Sequence, residues 1–459
     1  MKNDGKPHDQ CGVFGIFAPK EDVARLTFYG LLSLQHRGQE STGMAVADYK
    51  KIKLHKGMGL VNQVFKEAIL QNLTGKLAIG HTRYSTEGAS CLENAQPTVL
   101  NSRFGDFALV HNGNLANYDE LKKVLLEKGH CFHAQVDSEL ISRVVIEAQG
   151  RSFRTKIING IKQIKGAYSL IFLTKNKLYV VRDQWGIRPL LLGKINKHGW
   201  VVVSESMAIE ALGGKVVREI KPGEFLEISQ KGLKTFHQIK NKKGGFCIFE
   251  YVYFSRPDSV INDYLVYETR FNAGRNLAKE HPVKADLVMS VPDSGTAAAL
   301  GFAQESKITF HEGLIKSRYV GRTFIKPNQK LRSLGVGLKF NPLRKMLKGK
   351  RVVLIDDSVV RGTTISQIIK MLRKAKVKAV HLRVASPPFK HICYLGVDVS
   401  RYSELIANGN DLGKIKKKIR ADSLGYLSLA GLKKSVGKID HGVCTGCFDG
   451  KYPVVKKNK

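Results

Sequence analysis

The chain has 459 residues, 43% of them hydrophobic and 25% charged, and its 75 Lys and Arg against 39 Asp and Glu give a formal net charge of +36. That length suits two or three domains of roughly 150 residues, and the apolar share excludes a disordered or low-complexity chain. No run of about 18 or more apolar residues occurs and the leader MKNDGKPHDQ has no apolar core, so neither a membrane span nor a secretory signal is expected, and a cytoplasmic protein is.

From about residue 11 to 235 the chain reads as short β-type runs broken by Gly and Asn, among them 77–79, 107–110 and 168–173. Helical spacing intervenes, as over 138–147. The polar stretch 240–245 reads as a linker. Beyond it, strand runs at 285–291, 351–355 and 379–384 alternate with helices starting at Thr296 and Thr364, the pattern of a mostly parallel, doubly wound sheet. The basic excess makes polyanions candidate partners, from nucleic acid to phosphorylated metabolites. Its residues are dispersed, however, and the densest run, 414–418, has no interleaved aromatics, so lysines on solvated faces are the plainer reading.

Seven cysteines are too few for a disulfide scaffold, and without a secretory signal they should be reduced. Cys11 opens the run Cys11-Gly12-Val13-Phe14-Gly15-Ile16 and, taken alone, is a buried strand cysteine. With His81-Thr82-Arg83-Tyr84-Ser85-Thr86, His111-Asn112-Gly113-Asn114-Leu115 and Asp137-Ser138-Glu139, it resembles the class II glutamine amidotransferases, whose nucleophile is an N-terminal cysteine. The resemblance implies that Cys11 Sγ attacks the glutamine amide, that Asn112 and the Gly113 N–H form the oxyanion hole, and that Arg83 and Asp137 hold the α-carboxylate and α-amine. The chemistry agrees, because a free α-amino group of pKa near 8 on the same residue can serve the thiol as base. Inside a peptide bond Cys11 has no such amine. Residues 1–10 are therefore expected to be a propeptide, and the uncut chain to lack glutaminase activity.

Of the other cysteines, Cys444 and Cys447 have C-x-x-C spacing, and Cys247 and Cys393 could complete a four-thiolate site; spacing alone does not separate zinc from an iron–sulfur cluster. Cys91 and Cys131 have no ligand-like spacing and read as ordinary thiols.

The run Arg351 to Thr364 carries a buried apolar strand that ends in Asp356 and Asp357, followed by Ser358, Arg361, Gly362, Thr363 and Thr364 at a helix entry. Backbone N–H groups converge at such a turn and cradle a phosphate. The two acids could hold ribose hydroxyls directly or a Mg²⁺ that bridges to the sugar phosphate. A second strand exit, Pro292-Asp293-Ser294-Gly295-Thr296, repeats the arrangement and could hold a pyrophosphate. The acid pair with Ser358 to Thr364 resembles the phosphoribosyl-pyrophosphate (PRPP) signature of type I phosphoribosyltransferases. That resemblance puts the sugar phosphate on Ser358 to Thr364 and Mg²⁺–PRPP on Ser294, Asp356 and Asp357.

An N-terminal-cysteine glutaminase followed by a PRPP site is similar to one family, the amidophosphoribosyltransferases, from Cys11 to about Pro453. Distinctive stretches include 35–41, 182–190, 249–254 and 421–427. The resemblance implies an Ntn-hydrolase αββα sandwich over 11–240 and a type I phosphoribosyltransferase α/β domain with a mostly parallel sheet over 241–459. The leader and the set Cys247, Cys393, Cys444 and Cys447 match the branch that carries a propeptide and a 4Fe-4S cluster. Glutamine, PRPP and water would give phosphoribosylamine, glutamate and pyrophosphate, the first committed step of purine synthesis, with ammonia passed internally. Lys316, Arg318 and Arg322 lie in a stretch similar to the family's PRPP-responsive loop, a lid in function. A homotetramer and feedback inhibition by purine nucleotides are also implied. A DNA-binding regulator built on the same fold would suit the charge but would leave Cys11, Arg83, Asn112, Gly113 and Asp137 without a purpose, so no nucleic-acid partner is expected.

Overall fold

The computed structural model describes residues 11–84, 89–241, 244–317, 339–399, 401–440 and 442–454. The short β-type runs of the first half form two antiparallel sheets. One orders its seven strands Lys215–Glu219, Leu191–Ile195, Gly199–Val203, Gly12–Phe17, Leu77–Arg83, Ser41–Ala47 and Ile52–Met58. The other has six, in the order Gly232–Gln238, Glu224–Ser229, Leu178–Arg182, Gly166–Thr174, Phe107–Leu115 and Thr98–Leu100.

Many of these strands are apolar on both faces because each sheet is covered twice. In Gly12–Phe17 every residue is buried. Val13 and Phe17 pack between the sheets against Val110 and Ile171, whereas Phe14 and Ile16 face Leu31 of the helix Val23–Ser33. The outer face of the second sheet is covered by the helices Asp137–Glu147 and Phe153–Ile161, whose Leu140, Val144 and Ile157 meet Phe107 and Phe172. The result is the expected αββα sandwich.

The alternating grammar of the second half becomes a parallel sheet in the order Leu287–Ser290, Arg351–Asp356, Ala379–Val384, Ser423–Tyr426. The fourth strand falls in a stretch that the sequence marked only as distinctive. The basic run 414–418 lies on the helix Leu412–Ile419, where Ile415 and Ile419 are buried and the lysines of that run stay at or near the surface. The halves share a core in which Ala167 and Ile187 pack with Phe249, Phe254, Phe389 and Phe448. The strand Phe246–Cys247 pairs in parallel with Val443–Cys444, so the C-terminal tail is pinned at this junction. Among the described residues, no helix is long and apolar enough to cross a membrane.

Candidate active sites

Strand register gathers the residues expected at a glutamine site. Gly12 lies opposite Thr82, which puts Cys11 beside the end of Leu77–Arg83, and His81 Nε2 meets the His111 carbonyl at 3.1 Å, which brings up the end of Phe107–Leu115. Cys11 Sγ donates to the Tyr84 carbonyl at 3.5 Å. Burial pushes the Cys11 thiol up, and the nearby Arg83 and Arg37 guanidiniums only partly counter it. A thiol so placed needs a base to become a thiolate.

Asn112 is 1% exposed, and its Nδ2 has no hydrogen-bond partner among the described residues. A buried donor left unmade costs about 1–3 kcal/mol, so Asn112 Nδ2 is a candidate donor to an acceptor from outside the described residues. Gly113 has φ of 145°, and a Cβ there would stand 2.0 Å from the Ala167 carbonyl, so only glycine fits. Arg83 is almost wholly buried and donates from Nη1 to Glu40 Oε1 at 2.6 Å. Asp137 begins its helix, accepts the Leu115 N–H at 3.0 Å and stands 3.9 Å from His111 Nδ1. Burial lowers His111 to about 4 and His81 to about 3, so both imidazoles stay neutral at physiological pH. Ser85 and Thr86 lie outside the described residues.

At the phosphoribosyl site the two strand exits lie side by side. Val291 N–H donates to the Ile355 carbonyl at 2.8 Å, and a Cβ on Gly295 would stand 2.7 Å from that oxygen and 3.4 Å from Asp356 Cα. Ser294 to Thr296 are thereby set against the acid pair. Asp356, Asp357 and Ser358 are buried; Asp357 N–H donates to Asp356 Oδ1 at 3.0 Å and Ser358 Oγ to Asp357 Oδ1 at 2.6 Å. The helix Thr363–Lys374 starts at Gly362, which has φ of 77°, beside an open cleft of about 410 Å³ lined by Arg361, Gly362, Thr363 and Lys418. Lys316 pairs with Asp293, and Arg361 donates to Glu404 Oε2 from Nε at 2.9 Å and Nη2 at 2.5 Å. Arg318 and Arg322 lie outside the described residues.

Cys247 and Cys444 are direct register partners, and Cys447 opens the next helix, Gly446–Asp449. Cys393 packs against the same core, and its Sγ accepts the Leu395 N–H at 3.3 Å. Burial lifts Cys247 to about 11 and Cys444 and Cys447 further, and each of these thiols senses charge on others of the set. The four sulfurs are thus neighbours in one apolar core, without disulfides. Among the described residues, no group of three or more His, Cys, Asp or Glu converges as the cage of a single ion. Cys91 is half-buried and Cys131 exposed.

Sequence reasoning missed a buried charge cluster behind Cys11, formed by Arg37, Glu205, Glu250 and Arg188. Arg37 and Glu250 stand inside stretches already noted as distinctive, yet the partners are 213 residues apart, and no spacing rule pairs them.

A family model described as a glutamine amidotransferase domain matches residues 81–211. The amidophosphoribosyltransferase of Synechococcus elongatus is 45% identical, over 99% of this chain and 93% of its own. That of Methanocaldococcus jannaschii is 46% identical, over 96% and 97%. The structure of glutamine PRPP amidotransferase from B. subtilis complexed with ADP and GMP superposes with a TM-score of 0.91 at 42% identity, covering 97% of this chain and 98% of that one. The two-sheet glutaminase half, the parallel sheet with its acid pair and these full-length likenesses agree: the chain belongs to the amidophosphoribosyltransferase family.

Proposed function

We propose the following division of labour for the glutamine-dependent transfer of nitrogen to PRPP that this family performs in purine biosynthesis. Residues 11–240 are the glutaminase and 241–459 the phosphoribosyltransferase, with 1–10 a propeptide whose removal frees the Cys11 amine as base. Arg83 and Asp137 bind the α-carboxylate and α-amine of glutamine. Cys11 Sγ attacks the carboxamide carbon, and the oxyanion is met by Asn112 Nδ2 and the Gly113 N–H. Ammonia leaves, and water hydrolyses the thioester to glutamate. Ammonia then attacks the anomeric carbon of PRPP, and pyrophosphate departs.

The single observation that carries this reading is the Nδ2 of buried Asn112, which has no partner among the described residues, next to Gly113, where a Cβ would meet the Ala167 carbonyl. On the acceptor side, Ser358, Arg361, Gly362, Thr363 and Thr364 hold the sugar phosphate, and Ser294, Gly295, Thr296, Lys316 and Arg318 the pyrophosphate. Buried, adjoining oxygen donors at Asp356 and Asp357 suit a hard cation, so with Ser294 they would hold Mg²⁺, which when bound neutralises pyrophosphate charge.

Four neighbouring thiols in an apolar core suit a 4Fe-4S cluster on Cys247, Cys393, Cys444 and Cys447, whose contribution when bound is to tie the tail to the junction. Thiols raised by burial must lose protons to ligate, so loading should release acid. A homotetramer completes the reading, together with purine-nucleotide control, which alone is supported by the nucleotides in the B. subtilis complex.

The test is the stoichiometry of anaerobic protein given glutamine, PRPP and Mg²⁺. Glutamate and pyrophosphate should appear one for one; glutamate without pyrophosphate, or neither, would count against the reading.

A further inference from the structure

The buried cluster behind Cys11 takes no part in the steps above. Arg37, Glu205, Glu250 and Arg188 all have side chains 0% exposed. Their formal charges cancel, two positive against two negative. Arg37 reaches in three directions: Nε donates to the Cys11 carbonyl at 3.3 Å, Nη1 to Glu205 Oε1 at 2.5 Å, and Nη2 to Glu250 Oε1 at 2.9 Å. Glu250 lies at the junction, at the start of the helical turn Glu250–Phe254. Its carboxylate also accepts from Ser255 Oγ at 2.8 Å and stands 3.4 Å from Arg188 Nη1. Arg188 Nη2 in turn donates to the Leu395 carbonyl at 2.6 Å, in the second half.

Stability alone does not account for this arrangement. Desolvating four charges roughly cancels their mutual attraction, and apolar residues of like volume would often hold as well. Four charged side chains with directed bonds do something apolar packing does not, which is to fix one geometry. Here the geometry fixed is that of the backbone of Cys11.

We propose that Arg37, Glu250 and Arg188 form a buried positioning relay through which the docked second half sets the backbone at Cys11, and with it the attack geometry of the thiol. The inference rests on the reading of Cys11 as the glutaminase nucleophile. None of the three residues touches substrate in that reading. Glutamine's charged ends are held by Arg83 and Asp137, so a slack relay impairs turnover rather than binding. Since the bond to Cys11 is at the carbonyl, the relay constrains the nucleophile even when its amine is free.

The test is Glu250→Gln, which keeps shape and removes charge, in the processed full chain purified anaerobically. Misplacing reacting atoms by about 1 Å costs up to roughly 100-fold, so kcat for glutamine hydrolysis should fall roughly 10- to 100-fold. KM for glutamine should stay within about threefold, and iodoacetamide labelling of Cys11, followed by peptide mass, should slow in parallel with kcat. Ammonia-dependent synthesis of phosphoribosylamine runs in the other half and reports whether the variant is folded. Should Glu250→Gln lose that activity too, Ser255→Ala removes one bond to the same carboxylate and should give a graded loss of the same kind. A folded variant whose glutamine kcat and labelling rate match wild type overturns the relay. So does parallel loss of both activities in both variants, which would make the cluster purely structural. Absence of glutamine hydrolysis in the wild type would instead overturn the nucleophile assignment and the relay with it.

Discussion

The proposed glutamine and phosphoribosyl sites both hold cations paired by the chain's own carboxylates, as Arg83 is by Glu40, but the first also holds a buried donor with no partner among the described residues. In the first, the β-ladder holds Asn112 and Gly113, and Asn112 Nδ2 has no partner among the described residues. In the second, cationic side chains are already engaged by the chain's own carboxylates, Lys316 by Asp293 and Arg361 by Glu404. An orphan donor stores unfavourable energy that only the correct acceptor relieves. A pre-paired cation must exchange partners, and so responds to the arrival of an anion by moving. The difference sets a donor fixed by strand pairing against cations held by exchangeable partners.

The strongest way to break the comparison is to delete the first site and ask whether the other survives. Cys11→Ala should lose glutamine hydrolysis on the order of a million-fold, as when other covalent nucleophiles are removed, while ammonia-dependent phosphoribosylamine synthesis persists. Loss of both activities would show that the halves are not separable. Next, Asn112→Ala removes one oxyanion donor and should cost roughly 3–4 kcal/mol of transition-state stabilisation without a drop in thermal stability. Because the wild-type Nδ2 is buried and has no partner among the described residues, losing it should not lower stability; glutaminase rates like wild type would sink the oxyanion assignment.

Partner exchange makes a smaller prediction. Glu404→Gln frees Arg361 from a partly exposed pair worth about 1 kcal/mol or less, so KM for PRPP should fall by up to roughly fivefold. A rise in KM would show that Glu404 orients Arg361 rather than competing for it.

Acid sensitivity should also differ between the halves. His81 and His111 have folded values of about 3 and about 4 against an ordinary 6.5, so the unfolded chain takes up protons that the folded one refuses. Their stabilisation is complete above pH 6.5 and is lost as pH falls towards 4, at up to about 1.4 kcal/mol per pH unit each. Asp183, lifted by burial to about 6, opposes this, since the folded state binds its proton first. Two groups outweigh one, so the urea midpoint of the glutaminase half should drop between pH 7 and pH 5. An unchanged or higher midpoint at pH 5 would contradict the neutral-imidazole assignment.

Much of this was legible in the sequence because motif chemistry is local. The acid pair with Ser358 to Thr364 spans one strand exit, and His111-Asn112-Gly113 is contiguous, so both could be read without a fold. What escaped was pairing across long separations: Glu40 on Arg83, Glu404 on Arg361, and the cluster of Arg37 with Glu250. These depend on which strands and turns become neighbours, which periodicity does not specify. The strand Ser423–Tyr426 was missed for another reason: its sequence, Ser-Leu-Gly-Tyr, has no apolar run, unlike the equally short Leu287–Ser290.

The measurement that bears most directly on the central claim is glutamate release from glutamine by the anaerobically purified protein, with and without Mg²⁺–PRPP. Strong stimulation by PRPP is the predicted result, because it needs a working Cys11, an acid-pair site and communication between the halves. Release indifferent to PRPP, from protein whose intact mass shows that residues 1–10 are gone, would contradict the account.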